Sequence, residues 1–231
     1  MIKRLSVSLI LASLGLIFVA LLLGYSPDEE LNVTGRYYAE HTAEDIGAAN
    51  IVTAIIVTYR GLDTLGEVTV LFLTASIVGL VLARQSKNTP TIQAEPAGEL
   101  LNIGSRLLVP LILILGAYVF INGHLTPGGG FQGGAIIASA TLLMLLTDPM
   151  RRFSHRLIAI IESIAGLFFV TIGLLGIFLA GGFLDNRFMP IGEFGSLFSA
   201  GAIPIIYSLI GLKVGAEFSS MLVSLSEAED S

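Results

Sequence analysis

Long apolar runs separated by short polar segments dominate the order of residues along this chain. Six of these runs reach the length of roughly 17 to 25 residues that an α-helix needs to cross a bilayer. They cover residues 5–23, 66–83, 101–121, 131–147, 157–181 and 197–218. The pattern therefore predicts an all-α fold, an integral membrane helical bundle with about six transmembrane helices.

A seventh apolar segment, residues 47–59, is too short for an ordinary crossing. We predict that it forms a short helix that re-enters the membrane from the outer side or lies at the interface. With six crossings and a cytoplasmic N-terminus, nine of the 12 Lys and Arg residues fall on the cytoplasmic side, as the positive-inside rule requires. Both termini are then cytoplasmic, and a seventh crossing would spoil this charge bias.

The composition agrees with a membrane protein and excludes several kinds of site. Hydrophobic residues make up 54% of the 231 residues and charged residues 13%, against about 25% charged in soluble domains. Mean hydropathy is +0.84. The chain has no Cys, which excludes disulfides, thiolate metal sites and iron–sulfur ligation, and its three His lack metal-ligand spacing. We expect no catalytic residue, no cofactor or resident metal, and no nucleic-acid partner.

One polar stretch, residues 85–99, has the composition of an internal linker. It predicts a first membrane module over residues 1–84 and a second module, with four helices, over residues 100–231. The linker between them would lie in the cytoplasm.

Charged residues interrupt the apolar pattern between residues 60 and 67. Arg60, Asp63 and Glu67 would share one face of a helix with Thr64 and could neutralise one another. Ionisable groups kept among apolar residues in a membrane indicate a functional site. For Arg60 and Asp63 a structural interpretation stays equally open, in which they cap a bend at the membrane surface. Glu67 begins a long apolar helix, where its carboxyl could exchange protons or bind Na⁺ transiently.

A glycine-rich segment lies between the third and fourth predicted membrane helices. Gly130, Gly134 and Ala138 have the small-xxx-small spacing that allows helices to approach closely, so we predict a packing face. The glycines of the predicted turn and packing face are Gly128, Gly129, Gly130, Gly133 and Gly134. His124 precedes them, and could act as a proton relay or simply as a loop residue that contacts water or a partner.

Two further groups of charges lie on the last two predicted helices. We expect Glu162 to pair with Arg156 or Arg152 near the cytoplasmic edge of the membrane. Lys213 and Glu217, four residues apart near the end of the sixth helix, would neutralise each other at the interface.

Two motifs carry a resemblance to a known family. Asn50-Ile51-Val52, followed by the segment from Arg60 to Glu67, resembles the C-terminal part of the large A subunit of Mrp-type multisubunit Na⁺/H⁺ antiporters. That part also occurs as a separate small subunit in membrane-bound hydrogenases and related respiratory complexes. The segment from Pro127 to Gly134 resembles the glycine-rich turn of the antiporter B subunit. The chain therefore resembles a fusion in which the C-terminal module of the A subunit precedes the B subunit.

The resemblance implies a non-redox membrane subunit of a complex that translocates Na⁺ or H⁺ across the prokaryotic inner membrane. Glu67 matches the family's functionally important glutamate. Together with the candidates from the residue pattern, the predicted ion pathway includes Glu67, Asp63, Arg60, Thr64 and His124. The implied partners are antiporter-like and small helical subunits, membrane lipid and, in redox-driven relatives, a hydrogenase-like or ferredoxin-oxidising arm. The alternative is a purely structural scaffold subunit, in which Glu67 belongs to a buried ion pair.

Overall fold

Helices alone form the described part of this chain, which in the computed structural model comprises residues 2–25, 30–85, 97–148 and 151–229. The helices are α1 (Ile2–Gly24), α2 (Val33–Asp45), α3 (Ile51–Thr53), α4 (Gly61–Gln85), α5 (Glu99–Ile121), α6 (Gly130–Thr147), α7 (His155–Ala180) and α8 (Ile203–Glu229). A π-helical stretch, Ala54–Tyr59, continues α3, and one 3₁₀ turn, Asn186–Phe188, lies between α7 and α8. Most of the predicted linker lies outside the described residues, and the predicted module boundary stays a prediction.

Six helices in these ranges, α1 and α4 to α8, are long and apolar enough to cross a membrane. This confirms the predicted all-α membrane bundle and makes the chain a multi-pass membrane protein. The last helix begins at Ile203, six residues later than its apolar run suggests. Ala200 and Gly201 have φ of 62° and 56°, a left-handed conformation that a right-handed helix cannot include.

The backbone contacts divide the chain into two compact units, residues 1–37 and 38–231. In the first unit, the described side chains of α1 are all exposed, and Arg36 forms an ion pair of 3.0 Å with Glu30. The helix over residues 33–45 was not predicted, because its polar sequence has no apolar face to mark it.

In the second unit, α8 is the central helix and packs against α4, α5, α6 and α7. Its side chains at Ile203, Ile206, Ile210 and Val214 are almost completely buried, and Phe169 of α7 packs in the same core. The steps of three and four residues between these positions place them on one face of α8.

Glycines allow α6 to lie in direct backbone contact with its two neighbours. A Cβ atom added at Gly134 would lie 2.7 Å from Val214 Cβ and 2.8 Å from the carbonyl oxygen of Gly211 on α8. One added at Gly133 would lie 2.7 Å from the carbonyl oxygen of Gly116 on α5. Because two of these obstacles are backbone atoms, no side-chain rotation could make room for a larger residue.

The short helix predicted within residues 47–59 is present as α3 and its π-helical continuation, from Ile51 to Tyr59. Thr53, Ala54 and Val57 are buried, so this helix is part of the protein core. It ends at Arg60, whose N–H donates to the carbonyl of Ile55, and α4 begins at the next residue. Arg60 therefore lies at the junction between the two helices, whereas Asp63, Thr64 and Glu67 all lie on α4.

The packing of α6 leads to a prediction about Gly134. Gly134→Leu should force α6 and α8 apart and lower the free energy of unfolding by at least the roughly 1–3 kcal/mol that overpacking usually costs. Gly104→Leu on α5 is the matched control, because a Cβ there meets no atom of this chain within 4 Å. The measurement is the thermal unfolding midpoint of the purified complex in mild detergent. Equal midpoints for the two variants would contradict the packing role.

Candidate functional site

The charged segment predicted as a site begins at the junction between the π-helical stretch and α4. An Nη2 atom of Arg60 lies 2.6 Å from Oδ2 of Asp63, and more than half of each side chain is exposed. Asp63 lies in the first turn of α4, and its N–H donates to the carbonyl of Arg60. This is the geometry expected of residues that cap a bend, and such an exposed pair contributes little to stability.

Thr64 holds the two helices together at this bend. Its side chain is buried, and its hydroxyl donates a hydrogen bond of 2.5 Å to the carbonyl oxygen of Ile56. The π-helical stretch leaves carbonyls without the regular helical partner, and a side-chain hydroxyl can satisfy one of them. Thr64 therefore fixes the direction in which α4 leaves the junction.

Glu67 lies one turn further along α4 than Asp63, on the outside of this chain. Its side chain is exposed, although it belongs to a helix that can span the membrane. No hydrogen bond or ion pair to Glu67 occurs among the described residues, and its carboxylate lies within electrostatic range of the Tyr207 hydroxyl. The chain alone thus does not bury Glu67, contrary to the expectation from its apolar surroundings.

Tyr207 connects the neighbourhood of Glu67 to the glycine-rich loop. Its hydroxyl donates to Thr53 Oγ1 at 3.1 Å, and the Thr53 hydroxyl donates to the carbonyl of Gly123 at 2.6 Å. Asn50 reinforces this contact, since its Nδ2 donates to the carbonyls of Gly123 and Thr126 at 2.9 and 3.0 Å. These bonds join the start of α3 to the loop between α5 and α6, 70 to 76 residues later.

The glycines predicted to form the turn lie in this same loop and at the start of α6. A Cβ added at Gly128 would lie 3.1 Å from the carbonyl oxygen of Val119, and one at Gly129 would lie 3.4 Å from the Tyr207 hydroxyl oxygen. A Cβ at Gly130 would lie 2.5 Å from Ile210 Cγ2. The glycines therefore let the loop fold over the beginning of α8.

His124 is completely buried in this loop, although a contact with water was one of the two predicted roles. Its Nε2 lies 3.3 Å from the carbonyl oxygen of Ser196, and its Nδ1 has no hydrogen-bond partner among the described residues. Burial lowers the pKa of the imidazole, and the contact with the Ser196 carbonyl offsets only part of this effect. His124 is therefore neutral at neutral pH in the folded chain.

The loop between α7 and α8 closes over the same end of the bundle. Asn186, completely buried, donates through Nδ2 to the carbonyls of Ile46 and Ala200 at 2.9 Å each. Burial raises the pKa of the neighbouring Asp185 carboxyl, but hydrogen bonds and the charge of Arg187 outweigh burial and lower it overall. Asp185 is thus ionised and paired, with 2.6 Å between its Oδ2 and Nη2 of Arg187.

A second charged site joins Glu162 to Lys213 and Glu217, and the sequence predicted only the pair of Lys213 with Glu217. Glu162 does not form the expected pair with Arg156 or Arg152, and instead lies 3.9 Å from Nζ of Lys213. The pair between Lys213 and Glu217 is present, at 2.7 Å. Its predicted place near the end of the last helix is wrong, because α8 continues to Glu229. The sequence feature that could have revealed this site is the presence of three ionisable residues inside the apolar runs of two adjacent helices.

The chain matches two known families over consecutive segments. Residues 100–220 match the domain related to the MnhB subunit of Na⁺/H⁺ antiporters, and residues 3–97 match MbhE, the E subunit of MBH. Since the first match covers more than half of the chain, the chain belongs to the MnhB-related family. The two matches follow each other in the order that the resemblance to a fused A module and B subunit implied.

Relatives and solved structures agree with this assignment. An uncharacterized protein of Methanocaldococcus jannaschii is 31% identical over 202 residues, which cover 77% of each chain. A chain of the membrane-bound sulfane sulfur reductase, an archaeal respiratory membrane complex, has a TM-score of 0.83 and 42% identity, covering 97% of this chain and 98% of that one. A chain of the Mrp complex from Dietzia sp. DQ12-45-1b has a TM-score of 0.77 and 25% identity. That match covers 97% of this chain and 26% of the Dietzia chain.

Buried, neutral His124 predicts a loss of stability in acid. The unfolded chain takes up a proton near the ordinary histidine pKa of about 6.5, whereas the folded chain does so only at lower pH. The free energy of unfolding should therefore fall as pH drops below about 6.5. His124→Gln should reduce the difference in thermal midpoint between pH 7.5 and pH 5.5, while the same change at exposed His41 serves as control. An unchanged difference in the His124 variant would contradict this account.

Proposed function

We propose that this chain is a non-redox subunit of an Mrp-type cation/proton-translocating complex, and that Glu67 contributes to its Na⁺ or H⁺ pathway. We place the complex in the prokaryotic inner membrane, with both termini of the chain in the cytoplasm. The observation that carries the proposal is an ionisable side chain on an uncovered face of a membrane-spanning helix.

A carboxyl group at this place needs a neighbour outside the chain. Ionisable side chains in membrane segments almost always face other protein or a water-filled cavity and not lipid. The similar solved chains belong to multisubunit membrane complexes. We infer that a neighbouring protein of the complex covers the Glu67 face of α4, which would place Glu67 at a boundary between subunits.

The charges around Glu67 leave its carboxyl available for an ion. Arg60 is engaged by Asp63 at 2.6 Å, so those two charges offset each other. Tyr207, the buried neighbour of Glu67, already donates its hydroxyl proton to Thr53. The carboxyl can therefore accept and release a proton or contribute oxygen ligands to Na⁺, which prefers such ligands as other hard cations do. Any electron transfer would then belong to partner chains, since we propose that this chain holds no redox cofactor.

Two structural features also support the alternative function, a purely structural scaffold subunit. The contacts of α6 at Gly133 and Gly134 and the bend held by Thr64 are structural features that need no ion. If Glu67 only holds a neighbouring subunit in place, its removal should impair assembly more than transport. The two functions are therefore separated by measuring both properties on the same variants.

The first test removes only the charge of Glu67. Glu67→Gln keeps the size and hydrogen-bonding capacity of the side chain but cannot release a proton, so it should abolish or strongly reduce cation-dependent proton movement in vesicles that contain the whole complex. Glu67→Asp keeps the carboxyl one methylene shorter and should retain part of the activity. Glu193→Gln, at an exposed acid in the loop between α7 and α8, is the matched control.

Assembly is followed in the same preparations by copurification of the other subunits. Normal assembly with lost transport supports the pathway, and lost assembly supports the scaffold. Wild-type transport by Glu67→Gln would rule out a role for the Glu67 charge.

The proposed orientation is tested with single cysteines, which the chain otherwise lacks. A cysteine in place of Glu193 should react with an impermeant thiol reagent only from outside the cell. A cysteine in place of Ser154, just before α7, should react only after the inner face of the membrane is exposed. The opposite pattern would reverse the topology and contradict the positive-inside argument.

A further inference from the structure

Three charged side chains meet deep inside the second unit. Lys213 and Glu217 lie on α8 and Glu162 lies on α7, with Lys213 Nζ at 2.7 Å from Glu217 Oε1 and 3.9 Å from Glu162 Oε1. Glu217 is completely buried, and its Oε2 has no hydrogen-bond partner among the described residues. The ring of Phe72 on α4 covers the ammonium, 5.1 Å from its centroid. We call these three charged residues the Lys213 cluster.

The Lys213 cluster lies well inside the membrane-spanning part of α8. Lys213 follows Ile203 by ten residues and precedes Glu229 by sixteen, which correspond to about 15 and 24 Å along the helix. Neither end of α8 is close enough for these side chains to reach bulk water by extending along the helix. The charges must therefore be balanced by the protein or by an exchangeable ion.

The fixed charges of the Lys213 cluster do not balance. One ammonium and two carboxylates give a net charge of −1 when all three groups are ionised. The ring of Phe72 interacts favourably with the positive charge of the Lys213 ammonium. An unbalanced buried charge is normally removed by a change in protonation.

No further ion pair with the Lys213 cluster comes from the described side chains of the helices that pack against α8. α6 contains no ionisable residue. On α4, Asp63 and Glu67 precede Phe72 by five or more residues in the sequence, and Arg84 follows it by twelve. The ionisable residues of α5 and the remaining ones of α7 lie in the first two turns or on an exposed face, and they are Glu99, Arg106, Tyr118, His155 and Arg156. Tyr207, the nearest ionisable residue before Lys213 on α8, is engaged with Thr53.

A cavity connects one side of the Lys213 cluster to the surface of the bundle. It has a volume of about 340 Å³, lies between α4 and α7, and is lined by Thr69, Phe72, Glu162, Ser163, Gly166 and Lys213. Glu217 does not line it. The two carboxyls therefore differ, because Glu162 can exchange with water in the cavity and Glu217 is enclosed behind Lys213.

We propose that Glu162, Lys213 and Glu217 form an intramembrane site that takes up and releases one proton. Uptake converts one carboxylate to a carboxylic acid, and the charge of the cluster changes from −1 to 0 while Lys213 remains an ammonium. The proton enters through the cavity at Glu162, and the pair formed by Lys213 and Glu217 stabilises the charged state. Proton exchange at this site is independent of Glu67, whereas its use in translocation rests on the proposed function.

The geometry favours a proton over a metal cation as the exchangeable ion. The ammonium of Lys213 lies at the position between the carboxylates that Na⁺ would need, only 2.7 Å from the nearer one. Na⁺ could bind there only after Lys213 moved away, whereas a proton binds to a carboxylate oxygen without displacing it.

The test is a pH titration of protonated carboxyl groups by infrared difference spectroscopy on the purified intact complex between pH 5 and pH 9. Glu162→Gln leaves Lys213 and Glu217 with a net charge of 0, and Glu217→Gln leaves Lys213 and Glu162 in the same state. A neutral pair has no unbalanced charge and should take up no proton. Each variant should therefore lose the full signal of the one carboxyl that is protonated in the unmodified chain. Glu193→Gln should retain the full signal of the Lys213 cluster, because Glu193 is exposed in the loop between α7 and α8 and does not belong to the cluster.

An unchanged carboxyl signal in Glu162→Gln would overturn the proposal. Failure of that variant to assemble would also count against it, because Gln retains hydrogen bonding and the pair of Lys213 with Glu217 stays neutral. Lost transport in Glu67→Gln together with an unchanged signal in Glu162→Gln would overturn this inference and leave the proposed function intact. Normal transport in Glu67→Gln with a lost signal in Glu162→Gln would contradict the role of Glu67 and leave the proton site at the Lys213 cluster intact.

Discussion

The ion pair between Lys213 and Glu217 is the interaction that constrains the rest of the second unit. Two charges in the middle of a membrane-spanning helix cannot face lipid, so α8 has to be surrounded by protein. The structure meets this requirement by packing four helices, α4 to α7, around α8. Their outer faces remain apolar and exposed, as at Leu107 of α5 and Phe178 of α7, and are suited to lipid or to other subunits.

Glycine makes this enclosure possible because it lets α6 approach both neighbours. Gly134 contacts α8 and Gly133 contacts α5 at distances where a Cβ atom would collide with backbone oxygens. Lipid tails are as apolar as leucine side chains, so close packing and hydrogen bonds hold such helices together in place of the hydrophobic effect. The hydrogen bond between Thr141 of α6 and Ser219 of α8, at 2.9 Å, adds to this contact two turns further along.

Polar contacts at the loop end join the segment before α4 to the segment after α5. Asn50 and Thr53 bind the carbonyl of Gly123, and Asn186 binds the carbonyl of Ile46. These contacts link the part of the chain that resembles an antiporter A subunit to the part that matches the B-subunit family. Because both parts belong to one polypeptide here, the interface between them lies within a single chain.

The six membrane helices, the short helix before Arg60 and the family were predictable from the sequence, because apolar length and local motifs do not depend on distant contacts. It also supplied Glu67 and the glycine spacing as candidates. The central position of α8, the hydrogen bond from Thr64 to Ile56 and the burial of His124 depend on how the helices pack in three dimensions. The contact between Glu162 and Lys213 could not be predicted from the sequence either, since the two residues lie 51 positions apart on different helices. Helical periodicity fixes the face on which a charge lies, but the rotation and depth of each helix depend on the close contacts between backbones.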